Sequence, residues 1–158
     1  MSDHSLKVEV GDRFPLDILP DLQRHVAAGD GMTAIYLYPA DNTPTCTRQA
    51  IELDHAVPQF EAADIQVIGV STDDEESHRC FAEDHALSFS LVADPDQKLV
   101  EELGAHKDYG KYGTLSDRVT FLLDSGGVVR RIWQVEDVVG HPREILEAAA
   151  EVRAAEAS

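Results

Sequence analysis

TAIYLY (Thr33–Tyr38) runs directly into PADNTPTC (Pro39–Cys46), and the junction reads as the end of a strand meeting the start of a helix. The first six residues are β-branched, aromatic or apolar with little alternation, the pattern of a strand covered on both faces. Thr43 is placed to cap the helix, and Pro44 then falls at the first helical position, where its missing N–H costs nothing. Cys46 becomes the third helical residue. Unpaired backbone N–H groups and the positive end of the helix dipole converge there, and both favour a thiolate over a thiol. Placement alone leaves two readings open: a reactive sulfur, or a small buried side chain filling the first turn.

Outward from this junction, IQVIGVS (Ile65–Ser71) is a second buried strand. Between the two, Ala50, Leu53, Ala56, Val57 and Phe60 recur at three- and four-residue steps, which predicts a helix broken or kinked at Pro58. This βαβ unit is followed by a helix over Asp74–Ala86, a short strand near Phe89–Val92 and a helix over Pro95–Leu103. The polar segment Gly104–Ser116 carries no periodic pattern. RVTFLL (Arg118–Leu123) and Val128–Val135 are separated by Asp124-Ser125-Gly126-Gly127, a hairpin signal that makes these strands antiparallel. In Pro142–Ala155 the stripe Ile145, Leu146, Ala149 and Val152 predicts a closing amphipathic helix. A central mixed sheet that begins parallel, ends in a hairpin and is flanked by helices is an α/β, thioredoxin-like plan. With no repeat or linker to divide it, residues 1–158 are expected to form a single domain.

The 158 residues are 43% hydrophobic and 27% charged, a globular balance and too apolar for a disordered acidic chain. Thirteen basic residues against 30 acidic ones give a formal charge of −17. Such a surface repels phosphate backbones and anionic lipid, so neither nucleic acid nor a membrane is an expected partner. The charge serves either solubility or a high-salt setting. No run approaches the roughly 18 apolar residues of a membrane span, and MSDHSLK lacks the regions of a secretory signal, so a cytoplasmic protein is expected. No exposed apolar stripe announces itself, which favours a monomer.

Cys46 and Cys80 are too few for a disulfide scaffold. Without CxxC, HExxH or histidines at ligand spacing beside either cysteine, neither metal nor another cofactor is expected. Gly104–Lys111 superficially imitates a phosphate loop but has the wrong glycine spacing, with Tyr112 where Ser or Thr belongs. Asp94-Pro95-Asp96 lacks the rest of a calcium loop and reads as a turn with a helix cap. The acidic run Asp73–Glu76 suits a helix N-terminus. His78 and His85, seven apart on one helix, read as surface or core edge.

YPADNTPTCT closely resembles the active-site segment of peroxiredoxins, Pro-x-x-x-(Thr/Ser)-x-x-Cys, through Pro39, Thr43 and Cys46. Val10-Gly11-Asp12 with Phe14-Pro15, IGVSTDDEESHRCF, LVADPDQKLVEELGA and RVTFLLDSGGVV resemble the Q-type subfamily, the bacterioferritin comigratory proteins, from about Val8 to the final helix. The resemblance implies that Cys46 is the peroxidatic cysteine, attacking peroxide as a thiolate to become a sulfenic acid. It implies that Thr43 hydrogen-bonds the sulfur and the attacked oxygen, that Pro39 limits solvent, and that Arg118 holds the developing charge. Read without it, Arg118 is an ordinary strand-end arginine.

Three positions depart from the subfamily. A second cysteine often stands five residues after the first, where this chain has Ile51. Thr45 replaces a frequent glycine, and Gln49 a frequent glutamate. Cys80 is then the candidate resolving cysteine, as some Q-type members use a cysteine on the next helix. A bridge needs Cα atoms within roughly 7 Å, so one of the two helices would have to unwind. The implied cycle reduces hydrogen peroxide or an organic hydroperoxide, forms a Cys46–Cys80 disulfide, and is completed by thioredoxin or a similar dithiol. The alternatives are a one-cysteine peroxidase with Cys80 inert, and a non-catalytic acidic binding module with Cys46 structural.

Overall fold

The computed structural model describes residues 6–157. Its strands are β1 (Met32–Leu37), β2 (Ile65–Ser71), β3 (Ser90–Ala93), β4 (His106–Asp108), β5 (Thr114–Ser116), β6 (Val119–Leu123) and β7 (Val129–Gln134). Its helices are α1 (Pro20–Ala27), α2 (Pro44–His55), α3 (Val57–Ala62), α4 (Glu75–Asp84), α5 (Lys98–Leu103) and α6 (His141–Glu156). Five strands form one sheet in the order β3-β2-β1-β6-β7. β1, β2 and β3 are parallel, whereas β6 is antiparallel to β1 and β7 to β6.

β1 is central and wholly buried, and its alternate side chains feed two cores. Ile35 and Leu37 join Leu22, Val70, Leu99 and Phe121 on one face. Ala34, Tyr36 and Tyr38 join Cys46, Leu53, Phe60, Ile145 and Ala149 on the other. Burying each large side chain stabilises the fold by about 1.5–3 kcal/mol, so the sheet is specified from both faces. α2 and α6 cover the second face, and α2 begins at the C-terminal end of β1.

The hairpin forms as expected: Asp124 Oδ1 accepts from the N–H groups of Gly126 and Val128, and Gly127 takes the positive φ of 81° that the turn requires. Phe14 packs edge-on against Phe121, and the preceding segment straps across the hairpin through Gly11 N–H to Val129 O, 2.8 Å. The Pro58 break also holds, with α2 ending at His55 and Pro58 sitting in the first turn of α3.

Three features differ from the sequence reading. α5 starts at Lys98, three residues after Pro95, because Asp94 folds the intervening residues into a turn. Its carboxylate accepts from the amides of Lys98, Leu99 and Val100, and Gln97 adopts a left-handed φ of 57°. Gly104–Ser116 contains a small antiparallel ribbon, β4 with β5, too short for periodicity to announce. α1 had no counterpart in the sequence reading and buries only Leu22.

Candidate active site

The register of β6 against β1 pairs Val119 with Leu37, so Arg118 enters the sheet beside Tyr38, where the chain leaves β1 for the loop to α2. In that loop Pro39 is buried. Thr43 caps α2 with an extended backbone, its Oγ1 accepting from Cys46 N–H at 3.3 Å and donating to Ala40 O at 3.4 Å. Cys46 is the third helical residue and is 1% exposed. Arg118 reaches it across the sheet: Nη2 donates to Cys46 Sγ at 3.4 Å and Nη1 to Gln49 Oε1 at 2.5 Å. Both acceptors lie on α2 one turn apart, so the guanidinium fork grips the helix at two points. A fixed cation and the positive end of the α2 dipole face the sulfur, and exclusion of water strengthens both interactions while depriving a thiolate of hydration.

Thr43, Cys46 and Arg118 are therefore brought together, Pro39 lies buried in the same loop, and Cys80 is not among them. Cys80 is an exposed residue of α4 and a free thiol, as is Cys46. Its chain neighbour Phe81, by contrast, is fully buried on the same helix. Two further residues border the site. Gln49, fully buried, leaves Nε2 with no partner among the described residues. Tyr109 donates to Ser116 O, and burial together with the Asp117 carboxylate pushes its hydroxyl up to about 12 against the opposing pull of Arg118.

His78 corrects the reading of this histidine as surface or core edge. It is 4% exposed and belongs to a polar cluster beneath the active-site loop. Asp41 Oδ1 accepts from Tyr38 Oη at 2.6 Å, and Oδ2 accepts from Ser77 Oγ at 2.7 Å and lies 2.8 Å from His78 Nδ1. Burial works to raise the Asp41 carboxyl, but the hydrogen bonds from His78, Tyr38 and Ser77 outweigh it and hold the group below its ordinary range. Asp73, read as part of a helix-start cluster, instead accepts from Asp41 N–H at 2.8 Å and Ser71 Oγ at 2.6 Å; Asp74 alone caps α4. Asp41, Asp73 and His78 place ligand-type atoms within 4.8 Å of one another, and hydrogen-bond partners surround them. The Ser71-x-Asp73 and Ser77-His78 pairs were the available sequence signal.

The AhpC/TSA family pattern matches residues 10–132. The chain is 30% identical to the bcp peroxiredoxin of Coxiella burnetii over 89% of its own length and 98% of the relative's. It is 40% identical to the chloroplastic peroxiredoxin Q of Sedum lineare over 63% of this chain and 52% of that one, so it spans about half of the plant protein. Among solved structures, Xanthomonas campestris peroxiredoxin Q superposes with a TM-score of 0.73 at 32% identity, over 82% of each chain. A cysteine-to-serine mutant of Xylella fastidiosa PrxQ gives 0.81 at 26% identity, over 92% of this chain and 98% of that one.

The chain belongs to the AhpC/TSA family, whose thioredoxin-like fold it shares. Within that family it is a Q-type peroxiredoxin, a thiol-dependent peroxidase and hence an antioxidant oxidoreductase. Among the described residues, no helix is long and apolar enough to cross a membrane.

Proposed function

We propose that Cys46 is the peroxidatic residue and that the chain reduces hydrogen peroxide and small organic hydroperoxides. The observation that carries this is the Arg118 Nη2–Cys46 Sγ contact of 3.4 Å at a helix start capped by Thr43. The thiolate attacks one peroxide oxygen; an S–O bond forms as the O–O bond breaks, and the departing oxygen takes up a proton and leaves as water or an alcohol. Arg118 holds the charge as it moves from sulfur to oxygen, Thr43 orients the attacked oxygen, and Pro39 keeps water away. A Xanthomonas campestris relative, 32% identical, is described by its alkyl peroxide reduction activity, which favours organic hydroperoxides as well.

The resulting sulfenic acid condenses with Cys80, releasing water and forming a disulfide, which thioredoxin or another dithiol reduces to two thiols while becoming oxidised itself. Because Cys46 is covered and Cys80 is exposed, this step needs the first turn of α2 to unwind. Their contrasting burial on two different helices favours a second reading, in which an external thiol attacks the sulfenic acid directly. We further take the protein as cytoplasmic and of one domain, and as a monomer since the large exposed apolar residues described, Val10, Tyr112 and Val139, stand far apart along the chain.

Mass spectrometry decides between the cycles: reduced protein receives one equivalent of hydrogen peroxide, then is alkylated and digested without reductant. A peptide joining Cys46 to Cys80 is expected. Sulfenic or sulfinic acid at Cys46 with Cys80 alkylated establishes the one-cysteine cycle, and two intact thiols with peroxide remaining refute Cys46 as the reacting group.

A further inference from the structure

The Asp41 cluster fastens the loop before Cys46 to the helix that carries Cys80, two parts of the chain that must move relative to one another in the proposed cycle. Asp41 stands in the loop between β1 and α2, five residues before Cys46. Its side chain is held by Ser77 and His78, both in the first half of α4, the helix that carries Cys80. His78 extends the connection, with Nε2 3.2 Å from Val92 O on β3. The loop backbone is fastened as well, since Asp41 N–H donates to Asp73 just before α4. The Asp41 and His78 side chains are 1% and 5% exposed, so water does not compete for these bonds. The next residue, Asn42, turns the loop at φ 66°, a left-handed conformation that asparagine tolerates better than most residues.

We propose that Asp41 is a positioning residue that latches the active-site loop onto α4, and that release of this latch governs how fast the first turn of α2 unwinds to expose Cys46. The latch favours the peroxide-reactive form, in which Thr43 caps the helix and Arg118 meets the sulfur. It opposes the open form in which Cys46 reaches a second thiol. The effect on disulfide formation rests on the resolving role proposed for Cys80; the effect on unwinding does not.

The test compares the reduced wild-type chain with Asp41→Asn, which keeps the shape and removes the charge, and with Ser77→Ala, which removes one donor and disturbs folding least. Hydrogen exchange read by mass spectrometry should be at least about tenfold faster at the amides of Cys46–Ala50 in Asp41→Asn and less so in Ser77→Ala, with β1 and β2 unchanged. In single turnover, oxidation of Cys46 by peroxide should slow several-fold while conversion of the sulfenic acid to the Cys46–Cys80 disulfide accelerates. A cluster with a merely structural role would slow both steps and raise exchange throughout the sheet, or leave the α2 amides unchanged; either result overturns the latch. If the wild-type chain forms no such disulfide, the role of Cys80 fails, and the exchange pattern alone decides the latch.

Discussion

Replacing Arg118 with Met removes the cation while keeping an unbranched side chain of similar reach. Two unit charges at the observed 3.4 Å interact by about 5 kcal/mol at an effective dielectric of about 20, which is a ceiling here because Arg118 is partly exposed and water screens it. Removing a donor aimed at developing negative charge costs about 2.7–4 kcal/mol in comparable sites, so the rate constant for peroxide should fall about 10²–10³-fold. Arg118→Lys separates charge from geometry. Lysine restores the charge but not the fork that spans Sγ and Gln49 Oε1, so it should recover only part of the loss. The assay is single-turnover peroxide consumption by pre-reduced protein, with thermal unfolding to show that the fold survives. Activity of Arg118→Met within twofold of wild type would refute the role assigned to the cation. So would a defect confined to reductant-coupled turnover.

Two further outcomes are expected. Thr43→Val keeps the shape but removes the acceptor for Cys46 N–H, so it should cost about 1 kcal/mol in denaturant unfolding and slow peroxide oxidation at least tenfold, with Thr43→Ser restoring both; equal rates in all three proteins would remove Thr43 from the mechanism. His141 is held below its ordinary pKa by burial, against the pull of Glu144, while its Nε2 lies 2.9 Å from Thr120 Oγ1. The unfolded chain therefore binds a proton that the folded chain resists, and this contribution to stability is full above about pH 6.5 and fades as pH falls below it. The stability gap between wild type and His141→Gln should accordingly narrow from pH 7.5 to 5.5; a constant gap would mean that His141 titrates alike in both states.

Local patterns determined most of this fold. A run such as TAIYLY can satisfy both of its apolar faces only inside a sheet, and the Asp124–Gly127 turn and the Thr43–Pro44 helix start are written in adjacent residues. For the same reason the position of Cys46 was legible before any contact was known. Tertiary structure decided everything that depends on which distant groups meet. Arg118 is a strand-end arginine until the β1–β6 register carries it to Cys46. His78 on a seven-residue spacing with His85 looks like edge surface until α4 packs its side chain onto Asp41. Cys80 sits one position away from fully buried Phe81, and only the rotation of α4 against the sheet turns its thiol outward. Sequence spacing fixes neighbours along one element, whereas side-chain encounters between elements follow from the packing of both cores, which no single segment encodes.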